Sequence, residues 1–338
     1  MRAERSTELA KGAQHQPGAT PDSGGRTRRN RHPARTSALL TAVALALVFA
    51  QAIAGCSSPP RTANNVPKVI RVVAAERLWG SIAAQLGGTH ASIVSIISSP
   101  RVDPRSYRAT AADRRAFGTA QLLILNGAGY DPWAGELANS TPGNRRAELN
   151  AGDNVGVAPG GNPYLWYDPD YVQRVAALIL ADYAKIDPPD AGYFEHRLKV
   201  FEDGLVPCEK LVSQIKGAYS RTPVGSSTPI AAPLAAALGL TLVTPPPFLQ
   251  AMMARARPSA TDTAMANGQI MDRKIKLYIY DSRDSSPTVA AQLGEARAHR
   301  IPVVGVSAAL SPASATFQQW QAGEVMAVAR ALSAANGR

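Results

Sequence analysis

From residue 69 onward the chain alternates short apolar runs with stretches whose apolar residues recur three and four apart. Residues 69–75 (VIRVVAA) are β-branched or small and predict a first strand. Residues 76–86 put Leu78, Ile82 and Leu86 on one helical face, and Gly87-Gly88 ends that helix. Residues 92–97 predict a second strand, 110–117 a short helix and 121–126 (QLLILN) a third strand. The same alternation returns after residue 220. It predicts strands at 222–226, 240–244, 275–280 and 302–306, and helices at 230–238, 247–256, 261–272, 287–299 and 316–335. Strand and helix in turn predict an α/β fold: two Rossmann-like lobes with mainly parallel sheets.

Between the lobes, Phe194, Leu198, Phe201, Leu205, Cys208, Val212 and Ile215 recur in alternating steps of four and three. That is one apolar stripe on a linking helix of about 30 residues, about 45 Å long. Pro188-Pro189-Asp190 precedes it, with Asp190 as a candidate N-cap. Pro207 should kink it, because the ring removes a backbone donor and clashes one turn back. Cys208 falls on the stripe and reads as a small core residue. A helix of this length can join the lobes as a stiff spine that limits how far they open.

The chain upstream of residue 69 has another character. Residues 37–55 are uncharged and apolar or small, behind a leader at 1–36 with an arginine-rich stretch, and they end in Ile53-Ala54-Gly55-Cys56. Basic flank, apolar run and small-residue end make a secretory signal, and the ending resembles a bacterial lipobox, cleaved before Cys56 and acylated on its thiol. An uncleaved membrane helix is the other reading, since about 20 apolar residues span a bilayer. Arg28-Arg29 raises a twin-arginine route beside general secretion, and a start site placed too far upstream would explain the long leader. Residues 56–68 then form a polar tether. The expected boundaries are lobes at 69–168 and 220–338 around a helical linker at 169–219.

Charge adds little beyond this. The net charge is +11, but residues 1–36 hold eight basic and three acidic side chains, leaving 28 against 22 without a stripe, so no nucleic-acid partner is expected. The basic pieces Arg255-Ala-Arg257 and Arg273-Lys-Ile-Lys276 read as solvated faces, with anionic lipid headgroups as the lesser option. Two cysteines make neither a disulfide scaffold nor a cysteine metal site. No nucleophile elbow, phosphate loop, HExxH or dinucleotide fingerprint occurs, and Gly127-Ala128-Gly129 reads as a turn. His90, His196 and His299 never cluster and read as solvated surface residues. An enzyme is not expected.

The motifs resemble those of the substrate-binding lipoproteins of bacterial zinc and manganese ABC transporters, the adhesin-like metal-binding family. The resemblance runs from Val69 to the C-terminus. It rests on residues 79–88 (WGSIAAQLGG), 95–98 with Asp103-Pro104, Tyr107 and 110–113 (TAAD), 126–133 (NGAGYDPW), Asn162-Pro163 with 166–169 (WYDP), 222–225 (TPVG), 232–233 with 237–240 (ALGL), 301–304 (IPVV) and 316–320 (TFQQW). It implies two α/β lobes joined by one long helix, a metal ion in the cleft between them, and a membrane permease with its ATPase as partners. It also places Trp79, Trp133, Trp166 and Trp320 in the lobe cores and cleft walls, with Trp166 a candidate to stack on a solute.

The resemblance breaks at the residues it marks as metal ligands. Where the family has histidine in Asp-Pro-His this chain has Arg105, and where it has histidine after Asn-Pro it has Tyr164. Thr228 stands at a glutamate or histidine position, and only Asp281, at the fourth, keeps a ligand-type side chain. Residues 139–163 also lack the histidine-rich loop of zinc members. Zinc takes three or four nitrogen, sulfur or carboxylate ligands near 2 Å, and manganese prefers oxygen. A guanidinium stays charged and, about 4 Å from a divalent ion at an effective dielectric near 20, repels it by roughly 8 kcal/mol. The site is therefore expected to be degraded, with no cofactor, and zinc or manganese only if residual binding persists.

Three outcomes follow. Arg105 pairs with Asp281 across the cleft in place of an ion; or Arg105 clamps an anionic or neutral solute; or metal binds weakly at a displaced site drawn from Asp103, Asp168 and Asp281, then Asp113 and Asp131. The expected protein is a lipid-anchored monomer on the extracytoplasmic face of the cell membrane, with an envelope adhesin or assembly factor reusing the fold as the alternative.

Overall fold

The apolar runs become two four-stranded sheets, and the spaced apolar positions become the helices that cover them. The computed structural model describes residues 69–143 and 146–337; the leader, the apolar run, Cys56 and the tether lie outside the described residues. The first lobe is built from β1 (Ile70–Glu76), α1 (Arg77–Gly87), β2 (Ala91–Ile97), α2 (Ala111–Thr119), β3 (Leu122–Leu125), α3 (Pro132–Ser140), β4 (Ala147–Asn150) and α4 (Ala151–Val155). Its strands run parallel in the order β2-β1-β3-β4, with Val72 between Ile93 and Leu122, and Leu122 beside Ala147. Helices α5 (Pro169–Ile186) and α6 (Ala191–Tyr219) follow. The second lobe comprises β5 (Pro223–Ser226), α7 (Ala231–Ala237), β6 (Thr241–Leu242), α8 (Pro246–Met253), α9 (Ala260–Met271), β7 (Leu277–Asp281), α10 (Pro287–Ala298), β8 (Val303–Val306) and α11 (Phe317–Ala335). Its strands repeat the parallel order, β6-β5-β7-β8.

The linking helix α6 is 29 residues long and carries Pro207 within it. Of the stripe, Phe194, Phe201, Leu205, Cys208 and Ile215 are buried, while Leu198 and Val212 pack at the margin. These side chains do more than bridge. One continuous core runs from Val72, Leu78 and Trp79 through Phe201 and Leu205 to Val224, Leu277, Phe317 and Trp320, so both lobes share it. Residues Asn64–Arg338 accordingly form one compact unit. Polar ties join the lobes as well: the Tyr167 hydroxyl donates to the Ser307 carbonyl (2.7 Å) and the Asn162 amide to the Pro229 carbonyl (2.8 Å).

Some local expectations change. Strand 240–244 shortens to Thr241–Leu242, because three prolines (Pro245, Pro246, Pro247) follow and cannot donate to a ladder. Strand β4 and helix α3 add to the expected elements: β4 is four residues long with Leu149 alone buried, and α3 spans nine residues that bury Trp133, Ala134, Leu137 and Ala138. Asp190 takes the N-cap position of α6 as expected but makes no side-chain cap hydrogen bond, because its carboxylate meets His90 Nδ1 at 2.9 Å. His90 is thus not solvated; its ring stacks on Tyr193 at 3.9 Å and its side chain is 12% exposed. The turn at Gly127-Ala128-Gly129 is present, with all three residues left-handed. Among the described residues no helix is long and apolar enough to cross a membrane.

Candidate functional site

In each sheet the third strand lies beside the first and the second lies on the far side. Loops leaving the first and third strands therefore diverge, and a crevice opens at the strands' carboxyl ends. A cavity of about 670 Å³ lies there, walled by Asp103, Arg105 and Tyr164 from one side and by Thr228, Arg255 and Asp281 from the other. All four positions marked by the family resemblance, Arg105, Tyr164, Thr228 and Asp281, thus face one space.

Arg105 sits on a 3-10 turn (Pro104–Ser106) after β2, where the Asp103 side chain accepts from the Arg105 backbone N–H. Its guanidinium donates from Nη2 to the Tyr164 hydroxyl at 3.1 Å. Its Cζ lies 5.0 Å from the centre of the Tyr130 ring and 5.4 Å from that of Tyr164, a cation on two aromatic faces. Tyr164 is 2% exposed, and burial lifts its phenol above the ordinary value against the opposing pull of Arg105, so it stays neutral and accepts. The residue directly behind is Trp166, whose ring stands 6.0 Å from Tyr164 and 5.2 Å from Tyr130. The 3-10 turn Leu165–Tyr167 points Trp166 inward to complete burial, so it braces Tyr164 and cannot stack on a solute.

Asp281 ends β7 and is buried. Its carboxylate is gripped by Arg283: Nη2 donates to Oδ2 at 3.1 Å, while the backbone N–H and Nε donate to Oδ1 at 3.0 and 3.3 Å. No ion pair joins Arg105 to Asp281 among the described residues. The expected cross-cleft pair is replaced because a nearer arginine, two positions along the chain, reaches the carboxylate first. The lobes are instead bridged by Asp103, whose Oδ2 lies 2.6 Å from Arg255 Nη2 and whose Oδ1 lies 3.7 Å from Arg105 Nη1. Arg255 follows α8 in the left-handed conformation (φ 54°), where glycine is the usual occupant. Thr228 is buried, with its hydroxyl accepting from the Ile230 N–H and its carbonyl accepting from the Ser226 hydroxyl.

The remaining aspartates are occupied by local structure. Asp168 caps α5, accepting from the Asp170 and Tyr171 N–H groups, and Asp113 closes the capping box of α2 with Thr110. Asp131 accepts from the Asn126 and Gly127 N–H groups, both at 2.8 Å; burial still pushes it up to about 6. Beside it, burial and the Asp131 charge hold the Glu76 carboxyl well above the usual range. Among the described residues, no three histidine, cysteine, aspartate or glutamate side chains group so as to hold a metal ion. The arginines from the second lobe were missed as site residues. Arg255-Ala-Arg257 reads as a solvated face and is exposed, but nothing in the sequence announced that it also lines the cavity, and Arg283 carried no signal beyond following Asp281.

No curated protein sequence matches the chain. Among solved structures, the periplasmic zinc-binding protein TroA of Treponema pallidum is similar at TM-score 0.65 and 18% identity, over 80% of this chain and 99% of that one. The metal-dependent lipoprotein YcdH of Bacillus subtilis matches at TM-score 0.63 and 18% identity, over 78% and 99%. FpvC of P. aeruginosa, in complex with Ni²⁺, matches at 0.63 and 18%, over 79% and 98%. At such identities these likenesses speak for the fold, with its parallel-sheet lobes and long joining helix. The family model described as zinc-uptake complex component A, periplasmic, matches residues 72–331, most of the chain, so the protein belongs to that family of periplasmic solute-binding proteins.

Proposed function

We infer that the chain is the solute-binding component of an ABC-type uptake system, anchored outside the cell membrane through acylated Cys56 and serving a permease driven by an ATPase. We further infer that its cleft no longer accepts a bare divalent cation. Family membership supports the first part. One observation carries the second: a guanidinium that cannot discharge is seated on Tyr130 and Tyr164 and bonded to the Tyr164 hydroxyl, in the cavity that Asp281 also lines. Asp281 is already neutralised by Arg283, so an ion would have to displace one arginine and approach the other.

The test uses the compact unit Asn64–Arg338, loaded separately with zinc, manganese and iron, with bound metal counted by elemental analysis and melting followed in parallel. A micromolar site at millimolar metal would add about 4 kcal/mol and raise the melting temperature by roughly 10 °C. Neither stoichiometric metal nor such a shift is expected, and either one sinks this reading. For the anchor, Cys56→Ala in the full chain should move the protein out of the membrane fraction.

A further inference from the structure

Five arginines line the cleft, Arg101, Arg105, Arg255, Arg257 and Arg283, against three aspartates. Asp281 is taken up by Arg283, and Asp284 accepts the Ser286 N–H at 2.8 Å. Arg101 and Arg257 have no ion pair and no side-chain hydrogen bond among the described residues. Asp103 lies between two arginines from opposite lobes, at 2.6 and 3.7 Å. That carboxylate shows what the wall is shaped to meet: an oxyanion reached from both sides. The contact to Arg255 is too poorly aligned to give Oδ2 a hydrogen bond, and Arg255 is 71% exposed, so it is a weak tie that an incoming anion can replace. The cavity volume is within the range of organic-ligand pockets and far exceeds one ion.

We propose that the cleft binds a small organic or inorganic polyanion presenting carboxylate or phosphate oxygens, clamped between Arg105 of one lobe and Arg255 and Arg257 of the other. This rests on the reading of the chain as a solute-binding protein closed to bare cations. Such a solute would displace the Asp103 carboxylate from the two arginines it joins. Guanidinium forks suit paired oxygens, and a charge drawn from both lobes couples binding to closure.

The experiment measures binding to Asn64–Arg338 by calorimetry and melting at low ionic strength, with inorganic phosphate, citrate, citrate with zinc, and zinc chloride as separate arms. The first two arms separate phosphate from carboxylate chemistry, and the third asks whether a metal enters as an anionic chelate. Saturable binding at millimolar concentration or tighter is expected in at least one anion arm, falling tenfold or more in Arg255→Ala and in Arg257→Ala. Arg297→Ala, at the far end of α10, should bind as the unaltered chain does. Asp103→Asn keeps the acceptor that caps its turn but removes the competing charge, so it should bind about tenfold tighter, a gain that misfolding cannot produce. No saturable binding of any anion at 10 mM overturns the proposal, as does equal weakening by Arg297→Ala. Stoichiometric binding of zinc chloride alone instead overturns the cation-refusing reading beneath it.

Discussion

Exchanging Tyr164 for histidine would place an imidazole in the cavity that Asp281 lines, yet Arg105 should weaken the zinc binding it allows. An ion about 2 Å from a donor at the Tyr164 hydroxyl position would lie within about 5 Å of the Arg105 guanidinium, which is 3.1 Å from that oxygen. At an effective dielectric near 20 the repulsion is about 7 kcal/mol, or about five decades in Kd. With the Tyr164 hydroxyl and ring gone, Arg105 can avoid it by swinging into the cavity at the cost of its contact with Tyr130 and its pairing with Asp103, together about 1.5 kcal/mol. The cheaper route sets the penalty, so the charge should weaken zinc binding by about tenfold. Comparing Tyr164→His with Arg105→Gln/Tyr164→His isolates that term, because glutamine removes charge without adding a strong ligand. Arg105→His/Tyr164→His adds a second imidazole and should bind more tightly still, and Thr228→Glu should add to it. Zinc titrations with a competing chelator read the affinities, with melting curves confirming that each variant folds. If Tyr164→His alone binds zinc as tightly as Arg105→Gln/Tyr164→His, to within twofold, the charge argument is wrong.

Other consequences are local. Burial lifts the Glu324 carboxyl from about 4.5 to about 7; a raised folded-state value means that this group's contribution to stability is fully present below about 4.5 and is lost as pH rises to about 7, by about 3 kcal/mol at most. Glu324→Gln keeps an acceptor for the Ser307 N–H and should flatten the fall measured by urea unfolding between pH 5 and 8; an unchanged slope would count against the assignment. Gly152→Ala would set a Cβ 2.8 Å from the Ala128 nitrogen and 3.0 Å from the Val157 oxygen, backbone atoms that cannot step aside, and should lower stability by about 1–3 kcal/mol in thermal melts. Cys208 is 5% exposed with its thiol pushed up to about 11, so iodoacetamide should label it only after unfolding, as read by mass. Rapid labelling of the native protein would refute that burial.

The linking helix shows how far periodicity carries. Phe194, Phe201, Leu205, Cys208 and Ile215 are buried because apolar side chains at steps of three and four share one face whatever lies opposite. Periodicity could not say that the opposite surfaces belong to both lobes and merge into one core. His90 was misread for a related reason: its partners Asp190 and Tyr193 lie about a hundred residues away, and no local pattern announces them. Strand β4 is short enough that only its pairing with β3 defines it.

The cleft divides along the same line. Residue identity by itself determined that positions 105, 164 and 228 carry a permanent cation, a phenol and an alcohol, since charge and ligand strength are properties of the side chain; that imidazole and carboxylate ligands belong there is what the family resemblance implies. Only the tertiary structure decided who answers that cation. Arg105 lies on Tyr130 and Tyr164 rather than reaching Asp281, Arg283 claims Asp281, and Arg255 crosses from the second lobe to Asp103. Pairing between charges depends on distance to within an ångström, and that distance is fixed by how two sheets and one long helix pack, which no stretch of chain specifies alone.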